Sequence, residues 1–290
     1  MKRPAFTIFA LLTALLLSYA LYLALVVAPT EQTMGAVQRI FYYHVPSAWT
    51  AFLLFFINFL ASVLYLTDGK PSVRRAANWI AIAVAVAGTI APFVPQVRQL
   101  LPADVYPSSV ATTALAIAGA YFLIERLFSG HKLDALAVTT AEVGVVFCSV
   151  VLVTGPIWAR PVWGIWWTWD LRLTLTLVLW LIYVSYLVLR RFSSGGQTPV
   201  LAAVLAVFGA LDVPLVYFSI WFFRTQHPQP VIGGGGSIDP RMLHVLLINW
   251  LAFSCFAALV CWSRYKYEIV KRDVEERQAL EALMETGAAR

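Results

Sequence analysis

Residues 46–67 read Pro46-Ser-Ala-Trp-Thr-Ala-Phe-Leu-Leu-Phe-Phe-Ile-Asn-Phe-Leu-Ala-Ser-Val-Leu-Tyr-Leu-Thr67, without one charged side chain. The hydrocarbon core of a bilayer is about 30 Å thick and needs about 20 such residues coiled into a helix. That run decides the class of fold. In lipid every backbone N–H and C=O must find its partner inside the protein, which a helix achieves within its own segment. Seven further stretches pass the same test, roughly 5–28, 76–94, 108–127, 134–155, 172–190, 199–221 and 242–263. The expectation is an all-α, polytopic transmembrane helix bundle of about eight spans.

Composition agrees. Of 290 residues, 60% are apolar and only 12% charged, and the mean hydropathy is +0.76. Soluble globular chains run near 45–50% and 25%. Disordered, coiled-coil and disulfide-scaffold classes are excluded. Cys148, Cys255 and Cys261 lie inside apolar runs with no CxxC or CxxCH among them, so they read as small buried hydrophobes. The first apolar run, after Lys2 and Arg3, is longer than a signal-peptide core and reads as an uncleaved anchor.

Orientation follows from the distribution of Lys and Arg. With both termini in the cytoplasm, 15 of the 21 basic residues fall inside, including all five lysines. The other six are Arg39, Arg98, Arg160, Arg172, Arg224 and Arg241. The net charge of +6 is thus a topology signal, and no nucleic-acid partner is implied. The lipid bilayer is the implied surrounding. Residues 1–263 form the transmembrane domain and 264–290 a cytoplasmic tail, in which Glu268–Arg272 and Asp273–Arg277 stand at helical i,i+4 spacing.

The outer connection over 156–174 is the most specific part of the chain. Five of eleven tryptophans, Trp158, Trp163, Trp166, Trp167 and Trp169, fall within twelve residues. An interfacial aromatic belt is the plain alternative, but belts collect tryptophans from many helix ends. A short helix over 162–172 would set Trp163, Trp166, Trp167 and Asp170 on one face, a platform with an acid at its edge. Such a platform suits a large, flat, apolar ligand such as a porphyrin.

Porphyrin iron takes axial ligands, most often imidazole. His44, in Phe41-Tyr-Tyr-His-Val-Pro46, and His227, in Arg224-Thr-Gln-His-Pro-Gln-Pro230, share the membrane face of the tryptophans. His244, after the cap-like Ser237-Ile-Asp-Pro240, is the competing ligand, and His131 lies on the other face. Arg39, Arg160, Arg172 and Arg224 are candidates for the porphyrin carboxylates, since guanidinium binds carboxylate in bidentate fashion. Glu142 and Asp212 are acids inside spans, with functional and structural readings equally open. The Gly233–Gly236 run lacks the residues of a phosphate loop.

Trp163-Gly-Ile-Trp-Trp-Thr-Trp-Asp-Leu-Arg-Leu-Thr174 resembles the WGxWWxWDxRLT signature of the cytochrome c maturation protein C family (CcmC, haem exporter protein C). Phe41–Pro46 and the stretch from Val213 through His227 to Pro240 resemble that family's two histidine segments. The resemblance covers about residues 36–66 and 133–250. It implies haem, of the b type and bound transiently, with His44 and His227 as axial ligands. Trp163, Gly164, Trp166, Trp167, Trp169, Asp170 and Arg172 would hold the porphyrin. It further implies a delivery protein, not an enzyme, in the bacterial cytoplasmic membrane. Its partners would be a periplasmic haem chaperone and the subunits of an ABC transporter. Typical members have six spans, whereas this chain carries an apparent extra hairpin at 70–130, and Phe222-Phe223 stand where a tryptophan pair is usual. Eight spans keep a cytochrome c synthase (haem lyase) as the alternative, although synthases continue their motif with Asp-Pro-Lys-Glu-Thr.

Overall fold

In a computed structural model, described for residues 3–99, 106–193, 195–223, 225–228 and 238–288, helices carry the chain, and no strand is present among the described residues. They are α1 (Arg3–Tyr22), α2 (Phe41–Thr67), α3 (Pro71–Ile90), α4 (Pro95–Arg98), α5 (Pro107–Leu127), α6 (His131–Trp163), α7 (Leu171–Phe192), α8 (Thr198–Ala210), α9 (Asp212–Phe222) and α10 (Pro240–Ala288). A π-turn extends α1 to Val27 and a 3₁₀ turn at Ala36–Ile40 leads into α2. Among the described residues, eight segments are long and apolar enough to cross a bilayer, including α8 and α9 taken as one broken span. Each expected span is matched. Proline in the first turn opens α3, α4, α5 and α8, where its missing N–H costs no hydrogen bond.

The hub is α2, which packs along α6 and also meets α8 and α10. Small residues bring the backbones close. A Cβ added at Gly144 of α6 would stand 2.6 Å from the Phe55 ring. Phe55 in turn stacks on Tyr183 of α7, with centroids 3.8 Å apart and planes within 10°. Asn58 Nδ2 donates to the Ala137 carbonyl at 2.7 Å, a polar tie in the middle of the same interface. The hairpin of α3 and α5 packs mainly on itself, through a close crossing of Gly88 and Ala114, and leans only lightly on α2. It is thus an appendage to the bundle that carries the candidate site.

Chain direction alternates, so the links after α1, α6 and α9 share one end of the bundle with the start of α2. The opposite end is tied by charge. Asp134 of α6 accepts from Arg190 of α7 at 2.7 and 2.6 Å and from Arg272 of α10 at 2.8 Å. Arg272 continues to Glu268 at 3.0 Å, and Arg264 reaches Glu142 of α6 at 2.7 Å. Glu142 therefore serves as the anchor of a neighbouring helix. Helix α10 runs unbroken past residue 263. At 1.5 Å per residue it is about 73 Å long, so its last third projects well beyond a 30 Å core.

Candidate functional site

Helix α6 passes through Pro156 and Pro161 and ends at Trp163. Gly164 turns left-handed, at φ +82°, and its N–H closes on the Arg160 carbonyl at 3.0 Å. Glycine fits there because it has no Cβ to clash. From Gly164 to Asp170 the chain is irregular. Asp170 then caps α7, its carboxylate accepting the Leu173 N–H at 2.9 Å. The interfacial helix expected over 162–172 does not form. A left-handed glycine stops one helix and an extended cap residue starts the next, and a continuous helix would forfeit both. Trp163, Trp166, Trp167 and Asp170 therefore do not share a helix face. The indoles instead pair edge to face, Trp158 with Trp163 at 5.1 Å and Trp167 with Trp169 at 5.8 Å. Trp166 and Trp169 project outward, 59% and 75% exposed.

His44 stands half-buried in the first turn of α2, its Nδ1 2.8 Å from Thr154 Oγ1 on α6. The ring lies against Gly155, where a Cβ would sit 3.5 Å from His44 Cε1. His227, in the link after α9, has Nδ1 2.9 Å from the Pro228 carbonyl. His227 and Arg172 both lie within electrostatic reach of His44, and Arg172 within reach of His227. Burial, then the Arg172 charge, pushes the His227 imidazole down to about 4, against the opposing bond to the Pro228 carbonyl. At neutral pH this ring is uncharged and keeps a lone pair. His44, His227 and Arg172 thus lie within electrostatic range of one another. His244 instead is exposed in the first turn of α10, lining a groove with Leu23, Val27, Pro29 and Arg241. His131 begins α6 at the far end, where its carbonyl accepts from Arg272.

The structure also separates the arginines. Arg39 donates to the carbonyls of Ala24 and Ala28, closing the end of the first span. Arg160 donates to the Gly164 carbonyl. Arg241 pairs with Asp239 at 2.8 Å. Arg224 lies outside the described residues. Arg172 differs from these, because its Nη1 is buried with no hydrogen-bond partner among the described residues. Trp167 Nε1 and Thr174 Oγ1, in the same loop and first turn, are likewise buried and unpartnered. Unmet buried donors cost about 1–3 kcal/mol each, so a group that accepts from them would be stabilising. Two imidazoles, an unspent guanidinium N–H and a rim of indoles suit a flat, metal-bearing ligand with an anionic edge. Among the described residues no group of three or more His, Cys, Asp or Glu side chains is placed to hold a metal ion.

Thr154 carries no local sequence signal, because its contact with His44 spans 110 residues. Asp212 stands buried at the break between α8 and α9, with Oδ2 unpartnered. Gly164 and Asp170 each have a structural role in the loop, as helix stop and helix cap.

A sequence model of Heme exporter protein C matches residues 102–280. The chain is 28% identical to Heme exporter protein C of Bradyrhizobium diazoefficiens, over 93% of this chain and 81% of that one. It is 31% identical to Heme exporter protein C of Haemophilus influenzae, over 60% and 70% of the two. A ccmC-like mitochondrial protein of Marchantia polymorpha is 27% identical over 82% of this chain and 76% of its own.

Proposed function

The chain belongs to the Heme exporter protein C family, and on that premise we propose that it holds haem at the tryptophan end of the bundle and hands it on during cytochrome c biogenesis. The observation that carries the reading is that His44 and His227, more than 180 residues apart, come within electrostatic reach of each other and of Arg172, whose Nη1 is buried and unpartnered among the described residues. His44 and His227 are the axial ligands. Arg172 receives a propionate, through a charge-assisted hydrogen bond. Trp163, Trp166, Trp167 and Trp169 border the ring, and the outward Trp166 and Trp169 leave one side open to a partner. Gly164 and Asp170 shape the loop that carries the indoles.

Haem is the cargo, and iron and porphyrin supply whatever reactivity the recipient uses. The protein binds, orients and shields it. The recipient is a periplasmic haem chaperone, and the working assembly includes ABC-transporter subunits. The tryptophan end faces the periplasm and the termini the cytoplasm of a bacterial inner membrane. This orientation is supported by the concentration of Lys and Arg, with all five lysines, at the opposite end. A delivery role, as opposed to a haem lyase, predicts haem on the chaperone and no thioether bond formed on a CxxCH peptide.

The test is an optical spectrum of the purified full-length protein, oxidised and reduced, with His44→Ala, His227→Ala and His244→Ala. The expected result is a low-spin, six-coordinate haem spectrum, altered or lost in the first two variants and kept in the third. A spectrum unchanged in His44→Ala and His227→Ala, or no binding of added haem by the wild type, overturns the reading.

A further inference from the structure

An imidazole has two nitrogens, and only the one without a proton can bind a metal. Which nitrogen that is depends on the hydrogen bond made by the other. The surroundings of both histidines decide it.

His44 Nδ1 lies 2.8 Å from the Thr154 hydroxyl. That hydroxyl owns one proton and two lone pairs. It lies 2.7 Å from the Val150 carbonyl, an acceptor one turn back along α6, and 3.4 Å from the Val151 carbonyl. A carbonyl cannot donate, so the Thr154 proton is committed to Val150, in the back-bonding common for threonine inside helices. What Thr154 offers His44 is then a lone pair, and Nδ1 must carry the hydrogen. The free lone pair of His44 is on Nε2. His227 meets the same condition by another route, since its Nδ1 lies 2.9 Å from the Pro228 carbonyl, again an obligatory acceptor. Both rings present Nε2.

We propose that Thr154 is a positioning residue that fixes His44 as the Nδ1–H tautomer and aims Nε2 at the iron, with the Pro228 carbonyl playing the matching part for His227. The inference rests on the reading of these histidines as haem ligands. Threonine suits the task because its branched Cβ restricts χ1 in a helix, holding the hydroxyl in one direction. Gly155 completes the arrangement by letting the ring lie against the α6 backbone. The two supports differ in kind. A backbone carbonyl survives any substitution, so His227 keeps its tautomer in every variant of Thr154.

The experiment uses the full chain with ¹⁵N-labelled histidine in detergent micelles, first without haem and then titrated with haem. In the haem-free wild type, His44 should show a protonated Nδ1 and an unprotonated Nε2. Thr154→Val, nearly the same in shape, should lose that preference, and Thr154→Ser should retain it. Haem affinity should fall about 10- to 100-fold in Thr154→Val, the usual effect of deleting a partner of a metal-bound histidine, and by less than about threefold in Thr154→Ser. An Nε2–H tautomer for wild-type His44, or an unchanged affinity in Thr154→Val while His44→Ala loses haem, overturns the proposal and leaves the ligand reading standing. Haem retained by His44→Ala itself would instead remove the ligand reading on which the proposal depends. The tautomer measured in the haem-free wild type decides the matter even where a variant fails to fold.

Discussion

Replacing Asp134 by asparagine tests how the bundle is closed at the end away from the tryptophans. The side chain is 3% exposed and holds Arg190, 13% exposed, and Arg272, 20% exposed. Asparagine keeps the volume but removes the charge and one of the acceptor oxygens. Removing one member of a buried pair costs about 3–5 kcal/mol, because the partner charge stays desolvated. Arg272 retains Glu268 at 3.0 Å. The deficit therefore falls mainly on Arg190, which keeps the Tyr186 ring at 5.5 Å and the more distant charge of Glu268. The expected loss is at the low end, about 3 kcal/mol, or roughly a hundredfold in the unfolding equilibrium. It should be read by reversible SDS unfolding in mixed micelles, followed by circular dichroism. Amide exchange over 264–288 should accelerate in parallel, since Arg272 is one of the residues that dock α10 on α6. The double variant Asp134→Leu/Arg190→Met should recover most of the loss, because a packed apolar pair has no desolvated charge to satisfy. Stability of Asp134→Asn within about 0.5 kcal/mol of wild type, or a double variant no better than the single one, refutes the reasoning.

Gly144→Ala should destabilise by about 1–3 kcal/mol in the same assay, because the new Cβ meets Phe55 at 2.6 and 2.9 Å and Tyr183 blocks its retreat. Asp170→Ala should cost about 1 kcal/mol through the lost cap, whereas Asp170→Asn, an equally good cap, should match wild type in both stability and haem spectrum. The Asp239 carboxyl is held at about 2 by the Arg241 side chain and then by its backbone N–H. A carboxyl lowered in the fold contributes stability that is complete above the ordinary carboxylate range and lost as pH falls through about 2. A ¹³C titration should therefore find Asp239 still ionised at pH 3, and Arg241→Gln should move its midpoint upward.

Much of the architecture was legible in the chain itself. Hydropathy and length set the eight spans, because lipid allows a single polypeptide so few ways of pairing its backbone. The tryptophan cluster, His44 and His227 were visible as unusual residue types in unusual places. The helix expected over 162–172 failed for a local reason that spacing alone did not reveal: Gly164 and Asp170 act as a stop and a cap, and their backbone angles override the periodicity of the tryptophans between them.

The tertiary structure decided the rest. Arg39, Arg160 and Arg172 are equivalent candidates to a reader of the sequence, yet packing commits Arg39 and Arg160 to carbonyls and leaves a buried nitrogen of Arg172 unspent. Glu142 became an anchor only when Arg264, 122 residues away, arrived beside it. The tautomer of His44 depends on Thr154, a residue with nothing to distinguish it in its own helix. Span hydrophobicity is a property of consecutive residues, so the chain alone determines it. Which donor meets which acceptor is a property of how helices cross, and that is settled only when the small-residue contacts of α2, α6 and α7 have closed.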